Sequence, residues 1–296
     1  VIKPDIIQTW LYHADLIGTI ASLFINNAKV VWNIRHSNLN SSVDKLSTRL
    51  IVRVCALLSY FGPDRIICNS FRGTKVHKDI GYCRKKIKII GNGFETSKYR
   101  PNKDNYFRLR KELNLTPDCL IVGMVARFHP QKNHMGFLES ARIIQESIPD
   151  AHFVLCGKDV SNDNKMLTER VRELKLVNVH FLGLRHDIES LNAGFNIAVS
   201  NSTTGEGLPN VIGEAMACGV PCIATDVGDS GYLIGNTGTI VSPDNPKLMA
   251  KACIDLLKKD GHFRKRLGES SRSRIIENFS IKSIVKEYEN LYLAMS

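Results

Sequence analysis

The chain has 296 residues, 43% hydrophobic and 23% charged, with a formal net charge of +11; this balance fits one or two globular domains and excludes a disordered, collagenous or low-complexity chain. No apolar run approaches the ~20 residues of a membrane-spanning helix, and the eight cysteines include no Cys-x-x-Cys pair, which argues for buried thiols in a reducing compartment and against a disulfide framework or a zinc site. The charge is unevenly placed: residues 1–100 hold 16 Lys/Arg against 6 Asp/Glu, and residues 101–296 hold 24 against 23.

In chain order, residues 5–10 read as a strand, 14–26 as an amphipathic helix and 29–35 as a second strand ending at His36. Residues 43–60 carry Leu46, Leu50, Val54, Leu57 and Phe61 at helical spacing. A third strand fits 64–69, and Ser70 can cap a helix running to about Gly81. A fourth strand covers 86–90, and Gly91-Asn92-Gly93 turns the chain. Residues 95–118, with Pro101, Pro117 and a short helix at 106–113, read as a domain boundary.

The alternation then restarts. Strands fit 120–125, 152–156, 179–182, 197–200, 222–225 and 239–241. Helices fit 134–146, 165–174, 188–193, 209–218 and 246–258, with two long ones at 261–278 and 281–295. Such alternation predicts doubly wound parallel sheets, whose ligands sit at the carboxyl ends of the strands. The first domain has only four predicted strands and no opening strand with a glycine-rich turn, so a part of it is expected to be absent from this sequence.

Two stretches carry chemistry. Arg127 ends the strand 120–125, and Lys132 follows five residues later, before a helix. Both cations can meet one diphosphate beside a helix N-terminus, itself a seat for anions. In the stretch 201–219, Gly205 and Gly207 flank Glu206, Pro209 stands where a helix begins, and Asn210 and Glu214 share one face of that helix. Carboxylates there suit sugar or ribose hydroxyls. The basic first third suits anionic headgroups or a phosphate-bearing acceptor, or is a solvated face. No recognition helix or aromatic–basic stacking platform accompanies it, so nucleic acid is not an expected partner.

Together, Arg127 with Lys132, the Glu206-x7-Glu214 stretch and residues 217–228 (Ala-Cys-Gly-Val-Pro-Cys-Ile-Ala-Thr-Asp-Val-Gly) resemble glycosyltransferase family 4, the "group 1" retaining glycosyltransferases of the GT-B fold. The turn 91–95 resembles the family's hinge entry, with Glu95 where Asp is commoner. The resemblance implies two Rossmann-like domains facing across a cleft: an incomplete acceptor-side domain over 1–98, a donor-binding domain over 99–278, and a last helix, 279–296, crossing back to the first. Arg127 and Lys132 would bind the donor diphosphate and Glu214 the ribose. Glu206 would contact the donor sugar with backbone N–H groups around Gly207, Leu208 and Asn210. His36 would face the donor sugar, and His13 the acceptor.

The implied activity is retaining transfer from a nucleotide-diphosphate sugar to a glycan or lipid-linked acceptor, in polysaccharide, lipopolysaccharide or glycolipid synthesis. The implied place is the cytoplasm, peripheral to the inner face of the membrane through the basic first domain. No cofactor beyond the donor is expected, and no obligatory metal, since no Asp-x-Asp occurs. Two other readings stay open: a nucleotide-sugar-binding module without turnover, and a GT-B nucleotide-sugar epimerase.

Overall fold

The computed structural model describes residues 3–25, 27–35, 37 and 46–295. The chain divides into two compact units. The first comprises Val1–Gly93, Gly205–Leu208 and Ile281–Ser296; the second comprises Phe94–Thr204 and Pro209–Ser280.

The first unit is a parallel sheet in the order β1 (Ile6–Trp10), β2 (Lys29–Ile34), β3 (Arg65–Cys68), β4 (Ile87–Ile89). Between the strands run α1 (Tyr12–Ser22), α2 (Leu46–Leu58) and α3 (Phe71–Ile80). On one face Trp32, Ile34, Ile66 and Cys68 pack with Tyr12, Val52 and Cys55. On the other face Val31, Ile67 and Ile90 pack with Ile284 and Leu291 of the chain's last helix. A parallel sheet covered on both faces has apolar residues in runs rather than in alternation, as in Val30-Val31-Trp32.

Local chemistry sets the ends of α3. Ser70 Oγ accepts from the Gly73 N–H at 3.0 Å, and Gly81, at φ +109°, stops the helix. In α2 the structure departs from the simple amphipathic expectation. Val52, Cys55 and Ala56 face inward, whereas Leu46, Leu50 and Leu57 of the periodic set are exposed.

The second unit begins with α4 (Lys103–Glu112), which starts three residues before its predicted helix because Asn102 Oδ1 caps it by accepting from the Asn105 N–H at 3.1 Å. Then follow β5 (Leu120–Val125), α5 (His134–Ser147), β6 (Ala151–Cys156), α6 (Lys165–Glu173), β7 (Val179–Phe181), α7 (Ile188–Asn192) and β8 (Ile197–Ser200). The unit continues with α8 (Asn210–Ala217), β9 (Cys222–Thr225), α9 (Ser230–Ile234), β10 (Thr239–Val241), α10 (Pro246–Leu257) and α11 (Gly261–Phe279), before α12 (Ile281–Leu293) returns to the first unit. The five-residue α9 is too short to show a helical period in the sequence.

The six strands are parallel in the order β10-β9-β8-β5-β6-β7. The chain winds outward from β5 through β6 to β7, returns to the other side of β5 as β8, and winds outward again. The strand order therefore reverses between β5 and β8, the place where open sheets of this kind leave a crevice at their carboxyl edge. The core joins Val122, Phe153, Leu155 and Ile197 to Phe137 and Leu138 of α5 and to Met249 and Cys253 of α10. Arg110 of α4 is 1% exposed and donates to the carbonyls of Gly194 (2.9 Å) and Cys119 (2.8 Å) and to Asn196 Oδ1 (2.7 Å). A buried guanidinium without such partners is strongly destabilising, so these bonds hold the segment before β5 in place.

All eight cysteines are free thiols, and Cys83 and Cys119 are partly exposed while the other six are buried. Burial pushes the Cys253 thiol up to about 12. Among the described residues no helix is long and apolar enough to cross a membrane, and no cluster of three or more His, Cys, Asp or Glu could hold a metal ion.

Candidate functional site

The crevice between β5 and β8 is walled by the two loops that leave those strands. After β5, the Ala126 N–H donates to the Cys156 carbonyl and the Phe128 N–H to the Lys158 carbonyl, each at 2.8 Å. Arg127 lies between these two bonds, exposed, on backbone that prolongs the strand pairing. The chain comes close to its neighbour there: Gly157 has φ +155°, and a Cβ on it would stand 2.1 Å from the Ala126 oxygen.

Lys132 ends a single 3-10 turn, Pro130–Lys132, and is half-buried. Asn133, at φ +52°, stops that turn and caps α5 by accepting from the Gly136 N–H at 3.0 Å. Five residues thus bring two cations to the start of a fourteen-residue helix, where the helix dipole adds to their pull on an anion.

The loop after β8 is fastened to this one. Thr203 N–H donates to the Gln131 carbonyl at 2.9 Å, and Asn201 Nδ2 to the Asn133 carbonyl at 2.9 Å. Thr225 Oγ1, from the end of β9, donates to the Ser202 carbonyl at 2.6 Å. His134, the first residue of α5, is 2% exposed. Its Nε2 donates to the Ala126 carbonyl at 3.3 Å, and burial, with Lys132 nearby, depresses its pKa to about 4. The imidazole is therefore neutral at ordinary pH and adds no competing charge. Its Nδ1 is buried without a partner among the described residues.

Helix α8 starts at Asn210, after Pro209 at φ −74°, and no side chain caps it. Its first-turn N–H groups keep the capacity to bind an anion. Asn210 is exposed, and Glu214, on the next turn, is half-buried. Burial raises the Glu214 pKa above the usual carboxylate range, while a hydrogen bond from the Tyr99 hydroxyl and the nearby Lys98 ammonium oppose that shift. Lys98 also pairs with Glu189 at 3.6 Å.

Tyr99 is itself anchored. The Arg272 guanidinium of α11 donates to the Tyr99 carbonyl (2.9 Å), to the Thr96 carbonyl (3.1 Å) and to the Ala217 carbonyl at the end of α8. The sequence read 95–118 as a boundary segment and 261–278 only as a long helix, so Lys98, Tyr99 and Arg272 escaped it. No local pattern links them to Glu214.

In the first unit, the segment Gly205–Leu208 lies along the carboxyl edge of the four-stranded sheet. The Ser37 hydroxyl, after β2, donates to the Glu206 carbonyl. Asn92 Nδ2, after β4, donates to the Leu208 carbonyl at 3.3 Å. Gly207 stands beside Asn69, after β3, so close that a Cβ would lie 3.4 Å from the amide. Gly205, at φ +75°, makes the turn into this segment.

Arg35 braces the same edge. It donates to Asn33 Oδ1 at 2.8 Å, to the Tyr288 hydroxyl of α12 at 3.0 Å and to Asn92 Oδ1, and its guanidinium lies 4.9 Å from the Trp10 ring centroid. His13 is the second residue of α1 and is exposed. It follows Leu11, whose φ of +69° is an uncommon conformation for a leucine. His36 lies outside the described residues.

The structure thus gathers Arg127, Lys132, Asn210 and Glu214 in the second unit, and His13, Glu206, Gly207 and Leu208 in the first. Glu206 and Glu214, eight positions apart in sequence, are carried by different units.

Residues 119–259 match the family model described as glycosyl transferases group 1. Over 99% of its length the chain is 27% identical to a UDP-Gal:alpha-D-GlcNAc-diphosphoundecaprenol alpha-1,3-galactosyltransferase of Escherichia coli, covering 76% of that protein. It is 34% identical over 48% of its length to the putative glycosyltransferase EpsF of Bacillus subtilis, covering 37% of it. Among solved structures it superposes on Anabaena Alr3699/HepE in complex with UDP with a TM-score of 0.88 at 23% identity, covering 98% of this chain and 79% of that one; the UDP-glucose complex of the same protein gives 0.83. With a parallel sheet in each unit the chain has the GT-B fold, and its residues 119–259, running from β5 to α10, match the group 1 glycosyltransferases.

Proposed function

We propose that this protein transfers a hexose from a uridine diphosphate sugar, with retention of anomeric configuration, to a lipid-linked glycan acceptor in cell-surface polysaccharide or lipopolysaccharide synthesis. The observation that carries this reading is the crevice between β5 and β8. Two cations and the start of α5 meet there, and an uncapped helix start and the half-buried Glu214 lie on the chain leaving β8. The names of two similar proteins support the donor and acceptor classes: UDP-galactose and a diphosphoundecaprenol-linked sugar for one, bound UDP and UDP-glucose for the other.

In this reading Arg127 and Lys132 hold the diphosphate and stabilise the charge that grows on it as the sugar leaves. Glu214, oriented by Tyr99, accepts hydrogen bonds from the ribose hydroxyls. Asn210 and the backbone N–H groups at Gly207 and Leu208 hold the donor sugar. Glu206 and His36 contact that sugar near its reacting carbon, and His13 serves the acceptor.

The bond between the anomeric carbon and the diphosphate breaks while the acceptor oxygen bonds to that carbon on the same face. The acceptor proton passes to the departing phosphate oxygen. No step needs a metal or a further cofactor, because positioning and fixed charge carry the catalysis. The reaction takes place at the cytoplasmic face of a membrane, where a lipid-linked acceptor meets a soluble donor.

The test is UDP release from a panel of UDP-sugars with and without a polyprenyl-diphosphate-linked monosaccharide, with the product's anomeric configuration read by NMR. Acceptor-dependent release and an α-linked product from an α-linked donor are expected. Binding without release would favour a donor-binding module, conversion of the free nucleotide sugar an epimerase, and an inverted product would overturn retention.

A further inference from the structure

The two tryptophans of the chain are placed very differently. Trp32, inside β2, is fully buried. Trp10, the last residue of β1, is 49% exposed at the carboxyl edge of the same sheet. The backbone just after it is unusual. Leu11 has φ +69° and ψ 157°, a region that residues with a side chain avoid. Two bonds hold it there: its N–H donates to the Asn33 carbonyl at 3.0 Å, and its carbonyl accepts from the Asp15 N–H at 2.9 Å. Strain fixed by its surroundings in this way gathers at ligand-binding sites. Here it turns the chain from β1 into α1, between the exposed indole of Trp10 and the exposed His13.

The indole is held as well. The Arg35 guanidinium lies over its ring, 4.9 Å from the centroid, and the same guanidinium is tied to Asn33, Tyr288 and Asn92. An aromatic side chain ordered in advance gives up little freedom when a ligand packs on it. The segment that carries Glu206 lies over the ends of β2, β3 and β4, where Ser37, Asn69 and Asn92 meet it. Trp10 ends the next strand along, β1. Adjacent strands are about 4.8 Å apart, close to the width of one sugar ring.

The face of an indole is electron-rich and attracts the positive edges of C–H bonds. A hexopyranose has such a C–H face wherever no axial hydroxyl interrupts it, while its equatorial hydroxyls point sideways to polar groups. We propose that Trp10 is the stacking surface for the acceptor's terminal sugar, a hexopyranose with at least one face free of axial hydroxyl groups. That sugar rests on the indole face opposite Arg35, beside the segment that carries Glu206. The proposal rests on the proposed function for the existence of a sugar acceptor, and it uses no donor-site residue.

The test combines kinetics with fluorescence, using a polyprenyl-diphosphate-linked N-acetylglucosamine as probe and the same polyprenyl diphosphate without its sugar as control. Trp10→Ala should raise the KM for the sugar-bearing probe about tenfold and leave kcat within about twofold. Trp10→Phe keeps a ring and should lose only about threefold. Thermal unfolding and UDP affinity at parental values in both variants would show that they are folded. Because Trp32 is buried, acrylamide quenching reports Trp10. The sugar-bearing probe should shield the parent's fluorescence at least about threefold better than the control.

A parental acceptor KM in Trp10→Ala would overturn the proposal. So would equal shielding by the control, which would assign the site to the diphosphate or the lipid, or shielding by UDP-glucose alone, which would assign the indole to the donor. Shielding by the sugar-bearing probe with no transfer to it would overturn the proposed function and leave the stacking surface standing. Transfer by the parent without shielding would do the reverse.

Discussion

In the second unit the helices turn their apolar residues toward the sheet. Helix α5 buries Phe137, Leu138, Ala141 and Ile144, and α10 buries Met249, Ala250 and Cys253. In the first unit, α1 buries Asp15 and Thr19 and exposes Ile17 and Ile20, and the layer beneath holds a polar cluster in which the Tyr12 hydroxyl and His77 Nε2 share a hydrogen bond of 2.9 Å beside the Tyr82 ring. Both sheets are parallel and covered on both faces. The second unit spends its apolar residues inside, which fixes the loops leaving β5 and β8; the first keeps many outside, and its edge loops are braced by polar side chains such as Arg35 and Asn92.

The largest expected effects divide along that line. Glu206→Ala, in the segment carried by the first unit, should lower the transfer rate by about 10²–10³-fold and leave UDP affinity nearly unchanged. Lys132→Ala, in the second unit, should instead weaken UDP binding itself by about tenfold or more. Titration calorimetry beside steady-state UDP release separates the two. Equal losses of affinity in both variants would mean that the units do not divide the work.

Next in size is a test of the rigid second unit. Gly157 approaches the Ala126 carbonyl so closely that Gly157→Ala requires the backbone under Arg127 to move. Its φ of +155° adds strain for any side chain. A loss of about 2–4 kcal/mol of stability is expected, seen as a lower denaturation midpoint with unchanged slope. An unchanged midpoint would show that this loop yields easily and that its two backbone bonds do not hold Arg127.

Periodicity and turn residues made most of the fold legible. The strands β5, β8, β9 and β10 fall on their predicted residues because buried parallel strands are short apolar runs between turn signals. The placement of Arg127 and Lys132 at the start of α5 was legible because their spacing across a strand-to-helix loop is local. What stayed hidden depends on contacts remote in sequence. Leu46, Leu50 and Leu57 have helical spacing, but spacing identifies a helix and leaves open which stripe meets the sheet. Asp15 sits among apolar residues in sequence, and nothing local says that it points inward to Thr9. Tyr99 lies in a stretch that reads as a boundary, and its partner Glu214 is far along the chain.

Asp15 sharpens the contrast between the interiors. Its Oδ1 accepts from Thr9 Oγ1 at 2.5 Å, its Oδ2 is buried without a partner among the described residues, and burial pushes its pKa to about 7. The folded state therefore holds this proton at pH values where the unfolded chain has released it. The stabilisation it brings is complete below the ordinary value of 3.8 and is lost as pH rises toward 7, with a slope of at most about 1.4 kcal/mol per pH unit. Asp15→Asn should remove that slope and raise stability at pH 8 relative to the parent. An identical pH dependence in the variant, followed by denaturant midpoints between pH 4 and 8, would place the carboxyl in contact with water.

The smallest expected effect concerns Glu214, the half-buried carboxylate assigned to the donor ribose. Its raised pKa reflects burial, and the Tyr99 hydroxyl opposes that shift by donating to the ionised form. Tyr99→Phe keeps the ring and removes this donor. The fold should persist, because Arg272 holds residue 99 through its carbonyl rather than its hydroxyl. Without the donor the carboxyl protonates at a higher pH, and a protonated carboxyl gives up part of its capacity to accept from two ribose hydroxyls. UDP affinity should fall by a few-fold, in line with about 1 kcal/mol for one hydrogen bond, and the pH below which affinity declines should move upward. A variant with weaker binding but an unmoved acid limb would mean that Tyr99 contacts the ligand directly instead of tuning Glu214.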